Sequence, residues 1–208
     1  MKIICPLCHT PSPFFYQDTQ CYHRCPQCYA IFVIPEDLPQ EQEEKERYEL
    51  HDTDTQDEGY RKFVSPITLH VKQDFTPQAY GLDYGAGTSA IISCILREDG
   101  YKIENYDPYF HNYEELLNQK YDFITSCEVI EHFYHPDREF ARLREMLREG
   151  GKLYLMTDIY DARDFASWYY KNDPTHVFLY HRKTFEYIAK TYGFRDVLIE
   201  KRFILLSL

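Results

Sequence analysis

Residues 81–90 read Gly-Leu-Asp-Tyr-Gly-Ala-Gly-Thr-Ser-Ala, an apolar strand running into a glycine-rich turn that opens a helix. No other stretch of the chain restricts the possible folds as strongly. Glycines at 85 and 87 let the backbone bend sharply and approach a ligand that a Cβ would hold away. Ile91-Ile92 and Ile95-Leu96 then fall on one face of the helix. A strand, a glycine turn and a helix N-terminus together form a nucleotide-type cofactor site.

From residue 78 the pattern alternates strand and helix. Periodicity predicts strands over 79–84, 102–107, 121–126 and 152–157, and helices over 88–98, 137–148 and 183–192. Gly150-Gly151 is expected to stop the second of these helices and Gly193 the third. The apolar runs Val197-Leu-Ile-Glu and Phe203-Ile-Leu-Leu, parted by Lys201-Arg202, predict an antiparallel hairpin. Such alternation specifies an α/β, Rossmann-like fold on a mostly parallel sheet. Only twelve residues separate Pro108 from Tyr121, room for one short helix. The sheet is therefore expected to lack one outer strand of a seven-stranded design.

Five of the seven cysteines fall within residues 1–34. Cys5-Pro-Leu-Cys8 and Cys25-Pro-Gln-Cys28 are paired Cys-x2-Cys knuckles, sixteen residues apart. Each knuckle turns two sulfurs to the same side of a tight loop, so the four can surround one structural Zn2+ tetrahedrally. This predicts a small zinc ribbon over 1–34, with Cys5, Cys8, Cys25 and Cys28 as ligands. Cys21, His9 and His23 are possible substitutes, and the symmetric four-cysteine set is the simplest.

Residues 35–58 read as an acidic helical linker. Eleven of the chain's acids stand between 36 and 58, against Lys45 and Arg47. Glu41 with Lys45 and Glu43 with Arg47 are i,i+4 pairs that support a short exposed helix. Most of the net charge of −11 is thus local. The ribbon offers only Lys2 and Arg24 as strong cations, and no basic cluster follows, which disfavours nucleic acid as a partner. No apolar run of about 18 residues and no charged-then-apolar leader occurs, so the chain reads as cytoplasmic, without a membrane span.

Gly85-x-Gly87-x-x-Ala90 with Asp107 some twenty residues on satisfies a dinucleotide fingerprint. Asp83 opposes that reading, because an acid at the strand tip repels a pyrophosphate and favours a cationic sulfonium or an amino group. The segment Tyr121-Asp-Phe-Ile-Thr-Ser-Cys-Glu-Val-Ile-Glu-His132 is the second discriminator. A strand leading into Glu128-x-x-Glu131-His132, then Pro136, a helix and Gly150-Gly151, resembles class I S-adenosylmethionine-dependent methyltransferases, specifically the ubiquinone-biosynthesis-like group. The resemblance covers about residues 48–208. Tyr48 to Phe63, Tyr106-Asp107-Pro108-Tyr109 and Trp168 to His176 also resemble a small bacterial branch carrying a zinc ribbon. The family's usual third glycine is here Ser89.

The resemblance implies a methyltransferase domain over 59–208. It assigns cofactor contacts to Asp83, Gly85, Ala86, Gly87, Asp107 and Pro108, and to the main chain at Cys127 and Glu128. Methyl transfer is an in-line displacement in which alignment does most of the catalysis. A base is needed only where the acceptor must lose a proton. His176, in Asp173-Pro-Thr-His176, is the leading candidate and His181 a weaker second choice, with His132 a further catalytic candidate. His132 and His176 read equally as loop-pinning residues, and Trp168, Tyr169 and Tyr170 as an acceptor wall or as core. The expected acceptor is a small molecule. An RNA methyltransferase docking through its ribbon, and a non-catalytic cofactor-binding protein, are the competing readings.

Overall fold

A computed structural model describes residues 2–40, 54–161 and 164–208. The N-terminal segment forms five short strands, β1 (Ile3–Ile4), β2 (Pro11–Ser12), β3 (Phe14–Gln17), β4 (Cys21–Arg24) and β5 (Ile31–Val33). β1 pairs with β2, and β3, β4 and β5 follow one another antiparallel. The helix expected within 41–47 lies outside the described residues.

A long helix, α1 (Glu58–Asp74), comes next, its N-terminus capped by the Asp57 carboxylate, which accepts from the Tyr60 N–H at 2.6 Å. It was not foreseen, because Pro66 stands inside it, where proline ordinarily breaks a helix. Val64, Ile67, Thr68 and Val71 nonetheless keep the i, i+3, i+4, i+7 stripe and are buried. There follow β6 (Tyr80–Tyr84), α2 (Ile91–Glu98), β7 (Lys102–Tyr106), β8 (Tyr121–Cys127), α3 (Pro136–Met146), β9 (Leu147–Met156), β10 (Phe178–Leu179), α4 (Arg182–Tyr192), β11 (Asp196–Glu200) and β12 (Phe203–Ser207).

The main sheet has six strands in the order β11-β12-β9-β8-β6-β7. β7, β6, β8 and β9 are parallel, and β12 and β11 close the other side antiparallel as the expected hairpin. Between β7 and β8 the chain makes only a 3-10 turn at Glu114–Asn118, so β7 is left at the edge of the sheet.

Two helix boundaries differ from expectation. The helix predicted from 88 begins at Ile91, because Ala90 adopts a left-handed φ of +45° and the turn uses three further residues. The helix predicted to 148 ends at Met146, where Leu147 is already extended. Gly150-Gly151 does not stop it. Gly150, at φ +73°, lies inside β9, where Tyr121 opposes Leu147 but Phe123 opposes Lys152, so the glycine serves a bulge. Gly193 caps α4 with φ +77° as predicted.

The N-terminal strands are sewn into the rest of the chain. β10 pairs antiparallel with β5, Phe178 opposite Phe32 and Leu179 opposite Ile31. Cys5, Leu7, Cys28 and Phe32 are buried in one cluster with Phe178, Tyr180 and Phe185. Tyr22, Ile31 and Val33 pack with Tyr160, Phe165 and Trp168. Among the described residues no helix is long and apolar enough to cross a membrane.

Candidate active site

The parallel strands point their carboxyl ends at one cavity of about 1010 Å³, as open α/β sheets do where the strand order reverses. Its floor is the turn after β6. Gly85, at φ +77°, donates its N–H to the Tyr106 carbonyl at 2.8 Å, and a Cβ there would meet Val129 Cγ2 at 2.5 Å. Gly87, at φ +63°, has nothing within 4 Å of an added Cβ, so its backbone angle alone demands glycine.

Asp83 is buried on β6, its carboxylate accepting from Thr125 Oγ1 at 2.9 Å and Ser93 Oγ at 3.2 Å. Burial pushes its carboxyl up to about 6, against those two hydroxyls, which stabilise the anion. Asp107, one residue past β7, accepts from the Gly87 N–H at 3.0 Å and from Tyr109 N–H at 2.9 Å. It therefore ties the glycine turn to the loop after β7. Pro108, Ala86, Cys127 and Glu128 also line the cavity, as do His132 and His176, so the predicted cofactor-facing residues and these two histidines reach this one space.

At the end of β8, Glu128 takes a left-handed φ of +54° and donates its N–H to the Met156 carbonyl at 2.8 Å. A non-glycine residue held there costs about 1–3 kcal/mol, which the neighbouring strand must offset. Its carboxylate pairs with Arg202, and burial still raises it above the ordinary range. Cys127 turns its sulfur into an apolar environment that pushes the thiol up, leaving its main chain as the polar feature. Glu131 is fully buried, with one oxygen accepting from the Tyr170 hydroxyl. Burial and then the nearby Glu128 push its carboxyl up to about 8.

His132 donates Nδ1–H to the Thr175 carbonyl at 2.8 Å, and His176 donates Nδ1–H to the Tyr170 carbonyl at 2.7 Å. The two rings meet edge to face with centroids 4.9 Å apart. His181 belongs elsewhere: its Nδ1 accepts from the Lys183 N–H at 3.1 Å and caps α4, so it is not a candidate base. Of the three aromatics, Trp168 is core, its Nε1–H donating to Asp158 at 2.9 Å. Tyr169 is exposed at the cavity and Tyr170 is buried behind it. Tyr60, Phe63 and Val64 of α1 supply a wall that sequence reasoning missed, although the apolar stripe of α1 was there to find.

Among the N-terminal strands, one sulfur from each of Cys5, Cys8, Cys25 and Cys28 lies within 4.8 Å of all the others. The Cys8 and Cys25 sulfurs lie 3.2 Å apart, and those of Cys5 and Cys28 3.6 Å apart. Four sulfurs on one Zn2+ would be about 3.8 Å apart, so the set fits the ion. Hydrogen bonds from neighbouring thiols draw the Cys25 thiol down, and those to Cys25 push Cys5 and Cys28 up.

Residues 56–199 match the family described as "Methyltransferase domain". The chain belongs to that family. In solved structures, this methyltransferase domain is similar to human N-acetylserotonin methyltransferase in complex with SAM, with a TM-score of 0.53 and 15% identity over 71% of this chain and 53% of that one. A SAM-dependent methyltransferase from Archaeoglobus fulgidus gives 0.52 and 21% identity over 67% and 72%. Phosphoethanolamine N-methyltransferase 2 of Haemonchus contortus, in complex with S-adenosyl-L-methionine, gives 0.52 and 20% over 65% and 38%. At these identities the likeness is one of fold, and the chain spans about half the length or less of the human and Haemonchus proteins. No curated protein matches the chain significantly.

Proposed function

We propose that the protein transfers the methyl group of S-adenosylmethionine to a small or medium-sized acceptor. The observation that carries this reading is the single cavity at the strand tips, which gathers Asp83, Gly85, Ala86, Gly87, Asp107, Pro108, Cys127 and Glu128 in one wall. When bound, the cofactor supplies an electrophilic methyl on a sulfonium. Asp83 gives this wall an uncompensated carboxylate, whereas Glu128 is paired with Arg202, and an acid there suits a cationic ligand and opposes a pyrophosphate. Asp107 fixes the glycine turn and stands at the strand tip, where a carboxylate can accept from ribose hydroxyls. The half-buried main chain at Cys127 and Glu128 runs beside Val129 along the cavity.

His132 and His176 come from the loops after β8 and β9 and share one patch of the cavity. We assign them to the acceptor, whose oxygen or nitrogen they hold and activate. The Glu128-x-x-Glu131-His132 segment supports membership of the ubiquinone-biosynthesis-like group. In the ribbon, residues 1–34, the four cysteines hold a structural Zn2+ whose chemistry is to cross-link two knuckles. Because β10 follows His176 directly and pairs with β5, the ribbon also steadies the acceptor side.

The test is turnover. Protein incubated with methyl-labelled S-adenosylmethionine and pools of small hydroxyl and amine compounds should yield a labelled product together with S-adenosylhomocysteine in equal amounts. Tight cofactor binding with no transfer to any pool would instead favour a non-catalytic protein.

A further inference from the structure

We propose that Lys171 is a positioning residue: locked to Asp18, it fixes the peptide whose carbonyl sets the orientation and tautomer of the His176 imidazole. The inference rests on the methyl-transfer reading above, which gives His176 to the acceptor, and deepens it by naming what holds that ring in place.

His176 Nδ1 lies 2.7 Å from the Tyr170 carbonyl, and the His176 ring packs on the Tyr170 ring with centroids 4.2 Å apart. A carbonyl can only accept, so the hydrogen is on Nδ1 and the neutral ring carries its lone pair on Nε2. That carbonyl belongs to the peptide between Tyr170 and Lys171. Rotation of this peptide plane withdraws the acceptor and lets the ring turn or change tautomer. The peptide sits in one short 3-10 turn, Tyr169–Asn172, and such turns make poor internal hydrogen bonds. The plane must therefore be held from outside the turn.

Lys171 holds it. Its side chain is only 6% exposed, and its ammonium pairs with Asp18 in the turn between β3 and β4. The same ammonium lies 5.5 Å from the centre of the Tyr16 ring and donates to Asn172 Oδ1 at 3.3 Å. The Lys171 carbonyl accepts from the hydroxyl of Tyr22, on β4, at 3.2 Å. Side chain and main chain of Lys171 are thus both tied to the N-terminal strands. Farther along, the Gln20 side chain donates to the Pro174 carbonyl at 3.0 Å and to the Asp37 carbonyl at 3.2 Å. The stretch 171–174 is fastened to those strands, while Tyr169, Tyr170, Asn172, Asp173 and His176 line the cavity.

Stability alone does not account for this lysine. Lysine is seldom buried unless paired, and taking two charges out of water costs about as much as their attraction returns. An apolar side chain of similar length would fill the same space more cheaply. What the pair supplies is direction, because an ammonium held by one carboxylate leaves its own peptide a single arrangement. Lys171 therefore acts through His176 rather than on a ligand. Hydrogen fixed on Nδ1 leaves Nε2 as the nitrogen that can take a proton from the acceptor.

The experiment uses the full, zinc-loaded chain with isotope-labelled histidine nitrogens, observed by magnetic resonance at pH about 8.5, where imidazole is neutral. The His176 signals are those missing from His176→Gln. The native chain should show hydrogen on His176 Nδ1 and none on Nε2. In Lys171→Met and in Asp18→Ala the two nitrogen signals should shift towards each other, as the ring exchanges between tautomers. Lys171→Arg, which keeps the cation, should restore the native pattern. Thr184→Ala removes a contact with the Cys28 carbonyl remote from this loop and should leave the pattern alone. Calorimetry with S-adenosylhomocysteine should show retained affinity throughout, which certifies folding. Asp18 is the more exposed partner, so Asp18→Ala carries the test if Lys171→Met does not fold. The inference is overturned if the folded variants lacking the pair keep the native pattern, or if Thr184→Ala disturbs it as much. A native chain that binds no S-adenosylhomocysteine would defeat the methyl-transfer reading itself, whereas binding with unmoved nitrogen signals defeats only the role of Lys171.

Discussion

Gly85 and Gly87 stand two residues apart in the same turn, yet different forces hold them. At Gly87 only the left-handed φ matters, so Gly87→Ala should cost about 1–2 kcal/mol. At Gly85 the same strain is joined by a collision with Val129, which adds a further ~1–3 kcal/mol of overpacking. Urea denaturation should rank Gly85→Ala below Gly87→Ala by that margin. Asp83 makes a second residue-scale prediction, with two opposite signs. Its carboxyl is raised from 3.8 to about 6 by burial, so between those values the folded protein binds a proton that the unfolded chain does not. This group's contribution to stability is therefore fully present below 3.8 and lost as pH rises through about 6. Cofactor affinity runs the other way, since the neutral acid no longer attracts a cation. S-adenosylhomocysteine binding should weaken as pH falls from 7.5 towards 5 in the native chain and show no such step in Asp83→Asn. The chemistry of this turn was legible because glycine, aspartate and their spacing each have a local reason. The meeting of His132 with His176 was not, since forty-four positions of chain separate two rings that only the fold brings together.

At the scale of elements, regular periodicity gave the four parallel strands and the terminal hairpin to within a few residues. The misplacements have physical causes. Gly150-Gly151 looked like a helix stop and proved to be a bulge, because glycine serves any backbone needing positive φ. Strand β10 has two residues and exists only because β5 offers an edge, so nothing in its own sequence announces it. That small strand extends the N-terminal four-stranded sheet with a segment that follows β9, and Phe178 within it is fully buried. Phe178→Ala should cost about 3–5 kcal/mol in chemical unfolding, far more than a surface strand of two residues could explain. A change below about 1 kcal/mol would mean that the ribbon and the domain are only loosely joined.

For the whole molecule, the N-terminal strands pack into the same body as the rest of the chain. The Thr184 hydroxyl donates to the Cys28 carbonyl at 2.8 Å, and the Gln20 side chain donates to the Pro174 carbonyl at 3.0 Å. Deleting residues 1–34 would uncover Trp168, Phe165, Phe178 and Leu179 together. The shortened chain should aggregate on gel filtration. A monodisperse, folded product would show that the domain is self-sufficient. The central claim concerns the cavity at the strand tips, and calorimetric titration of the full chain with S-adenosylhomocysteine tests it most directly. The account predicts one site per chain, lost in Gly85→Val and weakened in Asp83→Asn. A folded native chain that takes up no S-adenosylhomocysteine even at about 1 mM would contradict it.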